Sequence, residues 1–252
     1  MSSARVNREI YDIPEMAGRK PIRILFKDSD FLVAKGFWMG VGYDIEYHYR
    51  YFGDLMRSKK DGFDVGVYYR VPFITKRYIR ESELLFQRGY KDKVYQHARL
   101  LPLESNFVFR MAESAYRFAE GRLTLRDMMD LYMFYEKWKD QMDEKIVVRG
   151  IKRFKTDQMA FDLLHLAHHW FQNPQEDLFG YRQPEKDKRR KIEENILRKG
   201  YEDMLSLEDC VQYSRLKKEI ESSEGITYYY DNESFSDRMD YHIYGKGAAK
   251  AA

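Results

Sequence analysis

The feature that most constrains this chain is a change in the period of its apolar residues near Pro102. Before that point, segments alternate. In GYDIEYHYRYFGDLM (42–56) an extended backbone places Ile45, Tyr47, Tyr49 and Tyr51 on one side and Glu46, His48 and Arg50 on the other. FDVGVYYRVPF (63–73) repeats the pattern after the turn signal SKKDG at 58–62. Beyond Pro102, Phe107, Met111, Ala115 and Phe118 recur at helical spacing, as do Leu125, Met128, Met129, Tyr132 and Met133. A strand period followed by a helix period predicts an α+β chain, a small mixed sheet and then a helical domain.

The expected boundaries follow from the same pattern. Residues 1–100 form the α/β part, 101–221 the helical domain, and 222–252 a Tyr-rich, partly disordered tail; 252 residues suit two subdomains. PIRILFKDSDFLVAKGFW (21–38) offers two β-like runs, Ile22 to Phe26 and Phe31 to Val33, flanking Asp28-Ser29-Asp30. Gly121 with Arg122 ends the first long helix, and Thr124 caps the next, which runs to about Asp140. A third helix at 156–171 stops before Asn173-Pro174, and two more are expected at 185–199 and 206–221.

Composition excludes several classes of function. No apolar run approaches the roughly 18 to 20 residues that cross a bilayer, and MSSARVNREIYD has no secretory apolar core, so a cytoplasmic protein is expected. The single cysteine, Cys210, excludes an internal disulfide and a Cys-rich zinc site, and its surroundings, LSLEDCVQYSRL, read as an ordinary helix. With 44 basic and 41 acidic residues the net charge is +3, which gives no global field for nucleic acid. The densest charged stretch, EKDKRRKIEENILRK (185–199), mixes both signs at helical spacing and reads as a solvated face. Neither a GxxxxGK loop nor a GxGxxG fingerprint is present.

The sharpest chemical signal is Asp28-x-Asp30. On an extended segment two carboxylates at i and i+2 point to one side of a sheet, where they can share Mg²⁺, the arrangement that phosphoryl and nucleotidyl transfer use. The bland reading of the same residues is a solvated loop. Glu46 and His48 would share a strand face, as a further metal-side carboxylate and a phosphate contact, or as ordinary surface groups on an aromatic strand. His165, His168 and His169 lie at helical spacing, but no Glu intervenes in the zincin pattern, and packing or capping roles are expected. YYRVPFITKRYIR (68–80) interleaves aromatics with arginines, a pattern shared by base-stacking surfaces and by cores with solvated basic neighbours.

The order of these segments resembles the bacterial nucleotidyltransferase family proteins. That family carries D-x-D-hydrophobic-L-V, then G-Y, then E-L-H-R-x-L-F, then a helical region. DSDFLV (28–33) and Gly42-Tyr43 match the first two elements. The third matches either VYYRVPF (67–73), which keeps Arg70 and Phe73 but replaces the glutamate by Val67 and the histidine by Tyr69, or EYHYRYF (46–52), which keeps Glu46, His48 and Phe52. Residues 101–140 resemble the family's helix, Gly-Arg turn and following helix, and LLHLAHHWF (163–171) its later L-A-x-x-W-F segment.

The resemblance implies a sheet of nucleotidyltransferase type and Mg²⁺-dependent transfer of a nucleotidyl group from a nucleoside triphosphate to a hydroxyl acceptor. Asp28 and Asp30 would hold metal, Glu46 would be the third catalytic carboxylate, and Lys35, His48 and Arg70 would contact the nucleotide. No Gly-Ser or Lys-Gly triphosphate element occurs before Asp28, which implies a shortened or diverged N-terminal part. The alternative is a catalytically degenerate relative that binds a protein or nucleic-acid partner.

Overall fold

The computed structural model describes residues 22–49, 52–71, 73, 75–93, 98–171, 177–197 and 218. The expected helix at 206–221, Cys210 and the Tyr-rich tail lie outside the described residues, apart from Lys218. The chain divides into two compact units, one of residues 1–79, 91–100 and 221–252, the other of 80–90 and 101–220.

The first unit is built on a four-stranded sheet of order β1-β4-β3-β2, with β1 at Ile22–Leu25, β2 at Tyr43–Tyr49, β3 at Gly53–Ser58 and β4 at Asp64–Tyr68. β1 runs parallel to β4, while β2, β3 and β4 pair antiparallel, so the sheet is small and mixed, as expected for a sheet of the type that the resemblance implies. The SKKDG segment makes the β3–β4 turn. Gly62 takes φ +65°, and the Asp61 carboxylate accepts from Phe63 N at 3.1 Å. Gly53 lets β3 approach β4 closely: at φ +141°, a Cβ there would lie 2.1 Å from Val67 O.

One expectation is corrected. Asp28-Ser29-Asp30 and Phe31 to Val33 are not a loop and a strand but the start of helix α1, Asp28–Gly40. Phe31, Ala34 and Trp38 recur at three and four and pack against the sheet. Phe31, Met56, Val65 and Val67 form the buried centre of this layer, flanked by Ile24, Phe26, Tyr43, Phe63 and Tyr69. An apolar run of three residues is compatible with strand or helix, and burial of every third or fourth side chain decides for helix here.

α2, Lys76–Gln87, follows a segment in which Val71 and Phe73 are buried, and its own buried Tyr78 stands edge-on to Phe73 at 5.3 Å. The aromatics of 68–80 that are buried here are therefore core residues.

The second unit is helical: α3 Leu103–Ala119, α4 Leu125–Trp138, α5 Glu144–Phe154, α6 Asp157–Phe171 and α7 Lys186–Leu197. Gly121, at φ +66°, takes the left-handed turn after α3, and Thr124 makes a reciprocal capping box with Asp127 at the start of α4. α5 was not legible as a separate helix. Its Asp143 N-cap accepts from Lys145 N and Ile146 N, and Gly150 lets it approach Val108, whose Cγ2 would lie 2.7 Å from a Cβ. Two of the three histidines of α6 are packing residues: His165 Nε2 meets Tyr181 O at 2.7 Å, and His168 is fully buried between Tyr132 and Tyr135, whereas His169 is exposed. On α7 the charged run is a mostly solvated face, with Ile192, Asn195 and Ile196 turned inward and Lys188 reaching the buried Asp162 at 2.6 Å.

Candidate functional site

The polar centre of the first unit forms where α1 crosses the sheet. β3 turns Asp54, Met56 and Ser58 to its buried face and Arg57 to the exposed one, as a strand period requires. Asp54 is fully buried. Its Oδ1 is bound by His48 Nδ1 from the facing residue of β2, and Lys35 Nζ reaches Oδ2 from α1 at 2.9 Å. The Lys35 contact is a charge pair rather than an aligned hydrogen bond. The three groups satisfy the requirement that a buried charge be paired.

Lys35 and His48, both expected to contact nucleotide, thus converge on one carboxylate that the sequence reading missed. The available signal was Asp54 in step with Met56 in FGDLM, which sets a carboxylate on the apolar side of a strand.

Glu46 does not join them. The β2–β3 register slips between Ile45 and Tyr47, so Ile45 faces Met56, Tyr47 faces Leu55 and Glu46 is the extra residue. The slip breaks the alternation that would have put Glu46 beside His48. Glu46 reaches instead to Arg57 at 3.0 Å, whose Nε donates to Asp64 at 2.8 Å. Hydrogen bonding to Asp64, with added attraction from Glu46, raises the Arg57 pKa further above its usual value.

Asp28 and Asp30 are exposed in the first turn of α1. Two residues on a helix are about 200° apart around the axis, so these carboxylates diverge instead of sharing a face. Ser29 Oγ donates to Asp30 at 2.9 Å, and both acids stand at the positive end of the helix dipole. Arg70 is exposed just past β4, and its backbone N–H donates to Phe52 O at 3.3 Å.

Residues 7–172 match the model of a family described as uncharacterised nucleotidyltransferase. The chain belongs to that family. No curated protein and no solved structure matches it. Membership extends over both the sheet and most of the helical unit, in keeping with the mixed α/β architecture and with a nucleotidyltransferase-like role.

The chemistry of this family as inferred above asks for carboxylates that can hold Mg²⁺, and the residues described do not fit that need. The four strands carry Asp44, Glu46, Asp54 and Asp64, and each has a basic side chain of the same chain against it: Lys59 at 3.0 Å from Asp44, Arg57 on Glu46 and Asp64, Lys35 and the His48 ring on Asp54. β1 contributes Ile22, Arg23, Ile24 and Leu25, with no acid at all. Among the described residues no group of three His, Cys, Asp or Glu side chains is placed to hold a metal ion. No helix among them is long and apolar enough to cross a membrane.

Proposed function

We propose that this nucleotidyltransferase-like protein acts by binding a protein partner, and that metal-dependent nucleotidyl transfer is lost in it. The observation that carries this reading is the pairing of all four strand carboxylates with lysine, arginine or histidine. A divalent cation would have to displace those partners, and at Asp54 it would have to do so inside the core. The pair that the sequence offers as metal ligands, Asp28 and Asp30, diverges on a helix, and among the described residues no third acid joins it.

A protein partner is favoured over nucleic acid because three basic residues in and beside the sheet already face acids. Lys35, Arg57 and Lys59 each face a carboxylate, whereas phosphate binding draws on cations available for counterion release. The outer side of α1 is instead apolar and exposed.

Isothermal titration of the full chain with a non-hydrolysable nucleoside triphosphate, with and without Mg²⁺, tests the reading. No Mg²⁺-dependent heat is expected. Metal-dependent binding in the wild type that disappears in both Asp28→Ala and Asp30→Ala would reinstate the transferase.

A further inference from the structure

α5 is basic over its solvent face. Val147, Ile151 and Phe154 are buried, and on the opposite side Lys145, Arg149, Lys152 and Arg153, all exposed, fall within about 100° of one another around the axis. Lys155 is exposed just beyond the helix. The one acid of α5, Glu144, lies off this stripe, about 100° round from Lys145. Unlike Lys35, Arg57 and Lys59 in the first unit, Lys145, Arg149, Lys152 and Lys155 pair with no carboxylate among the described residues. Arg153 does reach the buried Glu81, but Arg80 reaches the same carboxylate, so two cations share one negative charge.

This arrangement works against the helix. Lys145 with Arg149 and Arg149 with Arg153 set like charges at i, i+4, and Arg149 with Lys152 at i, i+3, spacings at which like charges repel. Three other helices of the same unit use those spacings for opposite charges: Glu113 with Arg117 on α3, Arg126 with Asp130 on α4, and Arg190 with Glu194 on α7. The negative end of the helix dipole favours Lys152 and Arg153 in the last turn, whereas Lys145 stands in the first turn at the positive end. A solvated face of mixed sign accounts for α7; on α5 the repulsion is uncompensated.

We infer that the basic face of α5 binds the phosphate backbone of a nucleic-acid duplex. Phosphates supply the negative charge that the face lacks, and cations with no acid against them are the ones that displace counterions on binding. A protein fits this face less well. Protein interfaces are depleted in lysine and centred on aromatic or apolar anchors, whereas this face carries Lys145, Lys152 and Lys155, no aromatic, and only Ile146 at its margin, 44% exposed. The lack of aromatics also selects a duplex over a single strand, whose unstacked bases are held by stacking on aromatic rings.

The inference goes beyond the protein-partner reading and is tested apart from it, because duplex binding at α5 involves neither α1 nor nucleotide and Mg²⁺. Fluorescence anisotropy of the full chain with a labelled DNA duplex of about 20 base pairs should show binding at low salt. That binding should weaken roughly 100-fold as salt rises fourfold, the dependence expected of about four phosphate contacts. Arg149→Gln should lower the salt slope by about one. Lys145→Gln, Arg149→Gln, Lys152→Gln and Lys155→Gln together should abolish binding with circular dichroism unchanged. Lys59→Gln, Lys60→Gln, Lys186→Gln and Arg190→Gln together, an equal loss of charge elsewhere, should retain most of it. A folded wild type that does not bind the duplex overturns the inference, as does an equal loss in the two fourfold variants or tighter binding of a single strand of the same length. Binding of poly-glutamate but not of the duplex would give the face to an acidic protein and overturn it as well.

Discussion

Lys35 reaches from α1 to a fully buried Asp54 on β3, with Nζ 2.9 Å from Oδ2. The contact ties the helix to the sheet by charge at the point where Phe31 and Trp38 tie it by apolar packing. Removing Lys35 strands the fully buried Asp54 in a low-dielectric layer, so Lys35→Met should cost about 3 kcal/mol in urea denaturation. Asp54→Ala leaves Lys35 and His48, which are 21% and 54% exposed and reach water, and should cost less. A Lys35→Met variant as stable as the wild type would mean that Lys35 does not balance the Asp54 charge.

Gly53→Ala should be at least as damaging for a different reason. The added methyl would lie 2.1 Å from Val67 O in a backbone conformation that L residues rarely adopt. The expected loss is on the order of 3 kcal/mol or more, visible as a fall in thermal midpoint, while Gly62→Ala, in open space, should lose much less.

Asp28→Ala and Asp30→Ala are expected to behave as helix N-terminal substitutions. Each loses an acid at the positive end of α1, worth about 0.5 kcal/mol at low salt and less at high salt. Neither should alter the response of the melting temperature to Mg²⁺. A Mg²⁺-induced rise in wild-type melting temperature, absent in both variants, would contradict the geometry described.

The pH dependence of the helical unit should centre on His168. Burial pushes its pKa down from 6.5 to about 4, opposed by Glu136 and helped by His165 and Lys139. The unfolded chain then takes up a proton below pH 6.5 that the folded chain refuses until about pH 4. Stability from this group is complete above pH 6.5 and is lost as the pH falls through that window, by about 2 kcal/mol near pH 5. Urea titrations at neutral pH and near pH 5 should show that loss in the wild type and a smaller one in His168→Leu.

Much of the fold was legible because it is written in local period. The alternation in 63–73 gives β4, SKKDG gives the β3–β4 turn, and the spacing of Phe107, Met111, Ala115 and Phe118 gives α3. Thr124 with Asp127 three residues on is a capping signal that needs no tertiary partner. The segment DSDFLV misled for a physical reason: its apolar stretch is too short to carry a period, so its helical state depends on what Phe31 and Trp38 bury against.

The amino-acid sequence by itself determined the α+β class, the order of sheet and helices, and the family, since these rest on periodicity and on motif order over residues 7–172. Only the tertiary structure decided the site. Asp54 meets His48 six residues earlier and Lys35 nineteen residues earlier because a strand pairing and a helix crossing bring them together. One extra residue at Glu46 sent that carboxylate to Arg57 instead of toward His48. Charge pairing of this kind is set by distances through space, which local spacing along the chain does not encode.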